Sequence, residues 1–334
     1  MHLHQILAIG ALLGVAFGGR VQGQTAPPAI LAVDLENIVI YEQDTGDAAK
    51  YATDPKIVSP PPIRNFVPVI WLADIVAVNG RPAKGTWTVR GTLLSRGTTV
   101  TPGDAIADSG ASFFFDWVFD IRQADGTQVG TIMASGWGGA AKPPGAPSSF
   151  LQANMTVTGG TGAFLGVRGQ AGLGGATDTG RNASMTEDPA YRRINGGGAR
   201  RYLFHLLPME RPEVVMTANG PAVVHASDFS LVTSAKPAHF GEILSVFASG
   251  LGPTRPGVDP GQPFPASPVQ PVNSPVEVTV NGSSAEVLYA GGYPGAVDRY
   301  QVNFRVPDGT SPGSASLRLT SGFIPGDDVT IPMQ

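Results

Sequence analysis

Glycine and proline punctuate this chain from end to end, 44 and 30 of its 334 residues. Inside a helix, relative to alanine, glycine costs about 1 kcal/mol and proline about 3 kcal/mol. A chain so interrupted has little room for long helices, and with only 14% charged residues it points instead to turn-rich, all-β structure. The runs between the breaks agree: "VEVTVNG" and "YQVNFRVP" alternate apolar and polar residues, the period of a strand with one buried face.

"AILAVDLENIVIY" is β-branched and partly alternating, and "NFVPVIWLADIVAVNG" ends in Asn79-Gly80, the strongest short hairpin signal. "KGTWTVRGTLLSRG" comes next with the same period. "ASFFFDWVFDIRQ" and "TQVGTIMASGWG" flank the turn Ala124-Asp125-Gly126 and read as another hairpin. With "SSFLQANMTVTGG", "AFLGVRGQAGLG" and "ARRYLFHLLPM", about eight strand-like runs precede residue 210, enough for a closed barrel or a sandwich.

Residues 1–23 read as a secretory signal, because the apolar run from Ile6 to Phe17 is too short to span a bilayer and small residues come after it. No other segment spans a membrane, so the expected localisation is secreted, extracellular or envelope-associated. The remaining 311 residues exceed one compact domain and divide as 24–210, a connector at 211–220 and 221–334, where the composition shifts towards Pro and Ser. A formal net charge of −4 without a basic run argues against nucleic acid. The absence of cysteine excludes disulfides, thiolate metal sites and a cysteine nucleophile. Neither a cofactor nor a metal is expected: the three histidines beyond the signal, His205, His225 and His239, lack ligand spacing.

The segment "VTGGTGAFLG" resembles at first sight a dinucleotide loop. Such a loop needs a buried strand before it, a helix on its last glycine and an acid about 20 residues on. Here the preceding strand alternates, and the later glycines disfavour a helix. The reading that fits is a tight hairpin at Gly159-Gly160-Thr161-Gly162 with strongly bent strands beyond it. "MTVTGGTGAFLGVRGQAGL" then resembles the glycine hairpin shared by allene oxide cyclases and dirigent proteins, with Phe164, Gly166 and Arg168-Gly169 at the recurring positions. "FFFDWVFDIRQADGTQVGTIMASG" is similar to the strand pair before that hairpin, and "ENIVIYEQDTGDAAKYATD" to the cyclase segment that carries a glutamate. The resemblance covers roughly residues 30 to 208. It implies an eight-stranded antiparallel calycin-like barrel, frequent homo-oligomers, and a small hydrophobic molecule as partner.

Period two puts Ile38, Ile40, Glu42 and Asp44 on one face of the first strand. If that face lines the barrel, Glu42 is a carboxylate at the mouth of an apolar cavity, where desolvation raises its pKa and suits it to act as a base or to steer a developing cation. The resemblance assigns Glu42 to the active site. Two residues on, the family has Asn and this chain has Asp44; the family's active-site cysteine has no counterpart. Glu42 and Asp44 are therefore the catalytic candidates, set against the alternative that they are solvated residues where the strand frays. Asp74 and Asp116 are acids inside apolar runs, and with Ile38, Ile40, Phe115 and Trp117 they are candidates to line a cavity; an outward, hydrogen-bonded placement of the acids and an ordinary core role for the aromatics stay open. Arg192, Arg193, Arg200 and Arg201 form a basic group suited either to an acidic ligand or to a solvated edge.

Beyond the connector, "HFGEILSVFASGLGPT", "VEVTVNGSSAEVLYAG" and "YQVNFRVPDGTSPGSASLRLTSG" resemble the Solibacter-type C-terminal domain of exported bacterial proteins. That resemblance implies an immunoglobulin-like sandwich of the IPT/TIG kind without catalytic residues. Two functions are open to the whole chain. One is a barrel that binds a small hydrophobic molecule and acts as a cofactor-independent cyclase, isomerase or coupling guide. The other is a noncatalytic structural or adhesive protein whose barrel is filled by its own side chains.

Overall fold

A computed structural model of the chain describes residues 28–42, 67–95, 111–139, 153–174, 180–183 and 187–334. The expected signal segment, Asp44 and the side chain of Glu42 lie outside the described residues.

The first unit is a closed, eight-stranded antiparallel barrel. Its strands are β1 (Ala29–Glu42), β2 (Val67–Val78), β3 (Arg81–Ser95), β4 (Ala111–Gln123), β5 (Gln128–Gly139), β6 (Ala153–Gly162), β7 (Arg168–Leu173) and β9 (Gly198–Leu207). The three-residue β8 (Arg181–Ala183) stands outside the ring. Each strand pairs with the next, β7 pairs with β9, and β1 closes the ring by pairing with both β9 and β2. At Asn37, whose φ is 56°, β1 bulges. There β9 leaves it, and β8 takes over as a parallel neighbour of Val39–Tyr41.

Asn79-Gly80 forms the expected turn, with positive φ at both residues (50° and 74°), as a type I′ hairpin requires. The Asn79 amide oxygen accepts the Ala32 N–H at 2.8 Å and ties the turn to β1. The glycine hairpin is placed differently from the expectation. Gly159 to Gly162 belong to β6 itself, and the turn falls on Ala163 to Gly166. The glycine at 160 is a close-approach residue: a Cβ there would stand 2.5 Å from the carbonyl oxygens of Phe164 and Thr131. Beyond the turn the chain continues as antiparallel β7, with no helix to open a phosphate site.

The second unit is a curled antiparallel sheet. Its path runs through Glu213–Val214, Ile243–Ser249, Tyr300–Arg305, Ser283–Gly292, Val276–Val280, Gly313–Ser321 and Ile324–Pro325. Leu244, Val246, Val278, Val302, Phe304 and Leu317 are fully buried inside it. The expected connector is already part of this fold. Glu213 and Val214 pair with Ser249 and Ala248, and Met216–Thr217 folds back on Gly220–Pro221.

The two units meet at one end of the barrel. Phe323 and Ile324 pack into the barrel's own apolar cluster, the Gln123 side-chain amide donates to the Asn273 carbonyl at 2.6 Å, and Arg81 pairs with Glu277. All three short turns of the barrel lie at this closed end. The four connections at the opposite end, 43–66, 96–110, 140–152 and 174–197, are long or incompletely described.

Candidate functional site

Alternation decides what enters the barrel. Trp87, Phe119, Tyr202 and Phe204 point inward from β3, β4 and β9 and are at most 1% exposed; Trp117 joins them at 2%. Their rings form a continuous stack. Trp87 lies 5.7 Å from Trp117 and 5.2 Å from Tyr202, and Phe119 lies 4.9 Å from Phe204, most pairs meeting edge to face. Below this tier Phe164, Val129 and Val167 seal the closed end, each 1% exposed. Over this depth the lumen is packed by the protein's own side chains.

The tier towards the open end is different. Trp71 meets Trp87 at 5.9 Å and Phe115 at 5.2 Å, yet it is only half-buried. Arg200 lies beside it, because on β9 it shares the parity of Tyr202, Phe204 and Leu206 and pairs in register with the inward Leu35. The Arg200 guanidinium sits over the Trp71 ring, 5.1 Å from its centre, a distance within the range of a cation–π contact. Its Nε is buried without a hydrogen-bond partner, and so are the indole N–H groups of Trp87 and Trp117. Burial pushes the Tyr202 phenol above its usual pKa, while the neighbouring Arg200 charge pulls the other way. This tier therefore sets a half-buried cation over an aromatic floor, with the unpartnered indole N–H groups of Trp87 and Trp117 buried beneath it.

Of the residues singled out in the sequence, Phe115 and Trp117 lie in this interior, 4% and 2% exposed. Ile38 is fully buried, and Ile40 pairs with Trp71. Glu42 pairs in register with Val69, a core residue, so the bulged strand carries it to the open end. The two aspartates do not line the lumen. Asp116 is outward, where it accepts from Ser135 at 2.9 Å and pairs with Arg90 at 3.2 Å.

Asp74 is also outward, but covered. A strap of residues 187–197 crosses the outside of β1 and β2, formed by a 3₁₀ turn at Pro189–Tyr191 and the single-turn helix α1 (Arg192–Asn195). Asp188 caps it by accepting the Ala190 N–H at 2.8 Å. From the strap Arg192 reaches Asp74 at 2.6 Å, and Arg193 grips both carboxylate oxygens at 2.7 and 2.9 Å; Asn37 donates a fourth bond at 3.0 Å. Burial alone would raise the Asp74 pKa, but the hydrogen bonds from Arg193, Arg192 and Asn37 outweigh it and hold the carboxyl below its ordinary value. With four donors its acceptor capacity is full, which makes it a structural tie rather than an acid or base.

Of the four arginines, Arg192 and Arg193 are thus committed to Asp74, and Arg201 forks onto Asp34 at 2.5 and 2.9 Å on the outer wall. Only Arg200 makes no ion pair among the described residues.

A separate cleft of about 470 Å³ lies at the junction of the two units, lined by Ala163, Leu165, Glu210, Asp259, Asp298 and Tyr300 among others. Its lining comes largely from loop residues, and Tyr300 is committed to the Gly252 carbonyl at 2.7 Å, so it offers less chemistry than the barrel's open tier. Among the described residues no group of three His, Asp or Glu side chains comes together to hold a metal ion, and no helix is long and apolar enough to cross a membrane. No family model and no curated protein matches this sequence.

Proposed function

We propose that the chain is an exported protein whose barrel receives a small hydrophobic molecule at its open end, in the manner of the allene oxide cyclase and dirigent barrels it resembles. The observation that carries this is the half-buried pair of Trp71 and Arg200, set above a fully packed aromatic tier. A barrel meant only as a scaffold has no use for a cation in its lumen, because desolvating a charge is expensive, and Arg200 has no ion pair among the described residues. Glu42, delivered to the same end by the β1–β2 register, is the group that would act as base or steer a cation in a cofactor-independent cyclisation or isomerisation. The second unit is read as an immunoglobulin-like module that anchors or associates the barrel outside the cell.

The dense packing of Trp87, Trp117, Phe119, Tyr202 and Phe204 favours the second reading, a noncatalytic structural barrel. Native mass spectrometry of the full chain after incubation with a hydrophobic small-molecule extract separates the two. A retained mass in the wild type that is lost or changed in Glu42→Gln supports a binding site containing Glu42; a retained mass indifferent to that change keeps the binding and removes Glu42. Bare protein throughout, extended to a panel of apolar compounds, favours the structural barrel.

A further inference from the structure

We propose that Asn219 is a self-modification site, the asparagine–glycine pair of this chain whose side chain the fold leaves free to close on its own backbone. It lies in the segment between the two units and is independent of what the barrel binds.

The chemistry needs only the pair and water. The backbone nitrogen of the glycine attacks the asparagine Cγ, a C–N bond forms, the bond from Cγ to the side-chain nitrogen breaks and ammonia leaves. Water then opens the succinimide at either carbonyl and gives aspartate or isoaspartate. No electrons are exchanged. A glycine after the asparagine favours the attack because it has no Cβ to obstruct the approach, and asparagine is accordingly a thermolabile residue.

The sequence holds four such pairs, Asn79-Gly80, Asn195-Gly196, Asn219-Gly220 and Asn281-Gly282. Space does not separate them, since a Cβ placed on any of the four glycines would meet nothing within 4 Å. The asparagine side chains do. Asn79 and Asn281 are clasped alike, one in each unit. The Asn79 N–H donates to the Ala32 carbonyl at 2.8 Å, and its Oδ1 accepts the Ala32 N–H at 2.8 Å. Asn281 makes the same two bonds with Ser316, both at 2.8 Å. Each clasp adds a rung to the ladder with the adjacent strand, next to the pairs Val33–Val78 and Val280–Leu317. Turning either amide onto its glycine breaks that rung. Asn195, at the end of the strap, hydrogen-bonds Glu187, which Arg181 also holds at 2.9 Å.

Asn219 is exposed at the tip of the hairpin 216–221. Thr217 holds this turn by itself: its hydroxyl accepts the Asn219 N–H at 3.2 Å and donates to the Gly220 carbonyl at 2.8 Å. The Asn219 side chain makes no hydrogen bond among the described residues. Reaction replaces a neutral amide with a carboxylate and, as isoaspartate, adds a methylene to the main chain of the loop. Below the loop, the Ala222 N–H bonds the Val215 carbonyl at 2.7 Å and the Val215 N–H bonds the Phe247 carbonyl at 2.9 Å. The base of the hairpin is thus fixed to the second unit, and the new charge stays local.

The test incubates the full chain in neutral buffer, folded and, in parallel, unfolded in urea. Peptide mass spectrometry follows all four pairs, and a protein isoaspartate methyltransferase with labelled S-adenosylmethionine counts isoaspartate. In the folded chain Asn219 should convert at least tenfold faster than Asn79, Asn195 or Asn281. In urea the clasps are gone, and the four rates should converge to within a few fold. Asn219→Gln should remove most of the methyl acceptance of the folded chain and leave its melting midpoint in place. Conversion of a clasped pair as fast as Asn219 in the folded chain overturns the proposal, and so does an intact Asn219 in folded protein whose unfolded form converts there. A preference for Asn219 that persists in urea assigns it to the neighbouring residues and overturns the role of the fold.

Discussion

The two ends of the barrel are built on opposite principles. At the closed end the turns are short and their chemistry is specified, as at Asn79-Gly80. The last apolar gap there is filled by Phe323 and Ile324 from the second unit, 8% and 2% exposed. At the open end the connections are long, Trp71 is half-buried, and Arg200, a cation without an ion pair among the described residues, stands in the wall. A closed sheet has no edge strand left to expose. That leaves one end free to carry stability while the other spends some of it on unsatisfied donors, the division expected of a scaffold that holds a site.

The comparison breaks if both ends contribute alike to folding. Phe119→Ala removes a fully buried ring in contact with Trp87, Trp117, Tyr202 and Phe204, and should cost about 3–5 kcal/mol in chemical denaturation. Trp71→Ala, one tier higher and half-buried, should cost clearly less despite the larger side chain. Equal losses would mean that the open tier is ordinary core.

Outside the barrel the strap tie comes next. Asp74→Ala leaves Arg192, 8% exposed, without its counter-ion, and should cost roughly 3 kcal/mol. The pH dependence has a definite sign. The Asp74 carboxyl is held below its ordinary value in the fold, so its contribution is complete above the unfolded carboxylate pKa near about 4 and is lost as pH falls through the lower, folded value. Melting curves from pH 7 down to pH 2 should show wild type losing stability in that acid window and Asp74→Asn losing less of it. Parallel curves would exclude Asp74 as the acid-sensitive tie.

How much of this was legible in the sequence depends on which signals are local. Asn79-Gly80 could be read because a type I′ turn demands positive φ at two consecutive residues, and few pairs supply it. In the sequence the glycines at 159–162 read as the turn itself, since glycine density marks both a reversal and a close backbone approach, and the sequence does not separate the two. Asp74 attracted attention as an acid in an apolar run, but the strap that covers it comes from residues more than a hundred positions away. Arg200 carries a readable signal: it has the same parity as Tyr202, Phe204 and Leu206, the inward face of β9. In "ARRYLFHLL" the opposite face also carries Leu203 and Leu207, which hid the alternation.

The seam between the units sharpens the comparison further. Ala163, on the turn after β6, packs on the barrel cluster beside Gly322, and even a methyl group added at that glycine would come within 2.5 Å of the Ala163 Cβ. Ala163→Leu overfills this contact and should cost about 1–3 kcal/mol. The loss should appear as a lower melting midpoint with the tryptophan fluorescence of the folded protein unchanged, because the Trp71 tier lies at the other end. A changed spectrum would show that the closed end sets the packing of the open tier.

The smallest expected effect tests the division between inside and outside within one dipeptide. Arg201 comes directly after Arg200, and period two sends it to the outer wall, where its fork on Asp34 is solvent-exposed. The Asp34 carboxylate raises the Arg201 pKa, but water screens the pair and exposed ion pairs contribute little to folding. Arg201→Gln should therefore leave the melting midpoint and the tryptophan fluorescence close to those of wild type, while Arg200→Gln, which takes the guanidinium off the Trp71 ring, should change the fluorescence. Both substitutions delete one positive charge from the same strand, so they shift the overall field of the barrel similarly. If Arg201→Gln changed the fluorescence as much, Trp71 would be answering to that general field and not to the guanidinium over its ring.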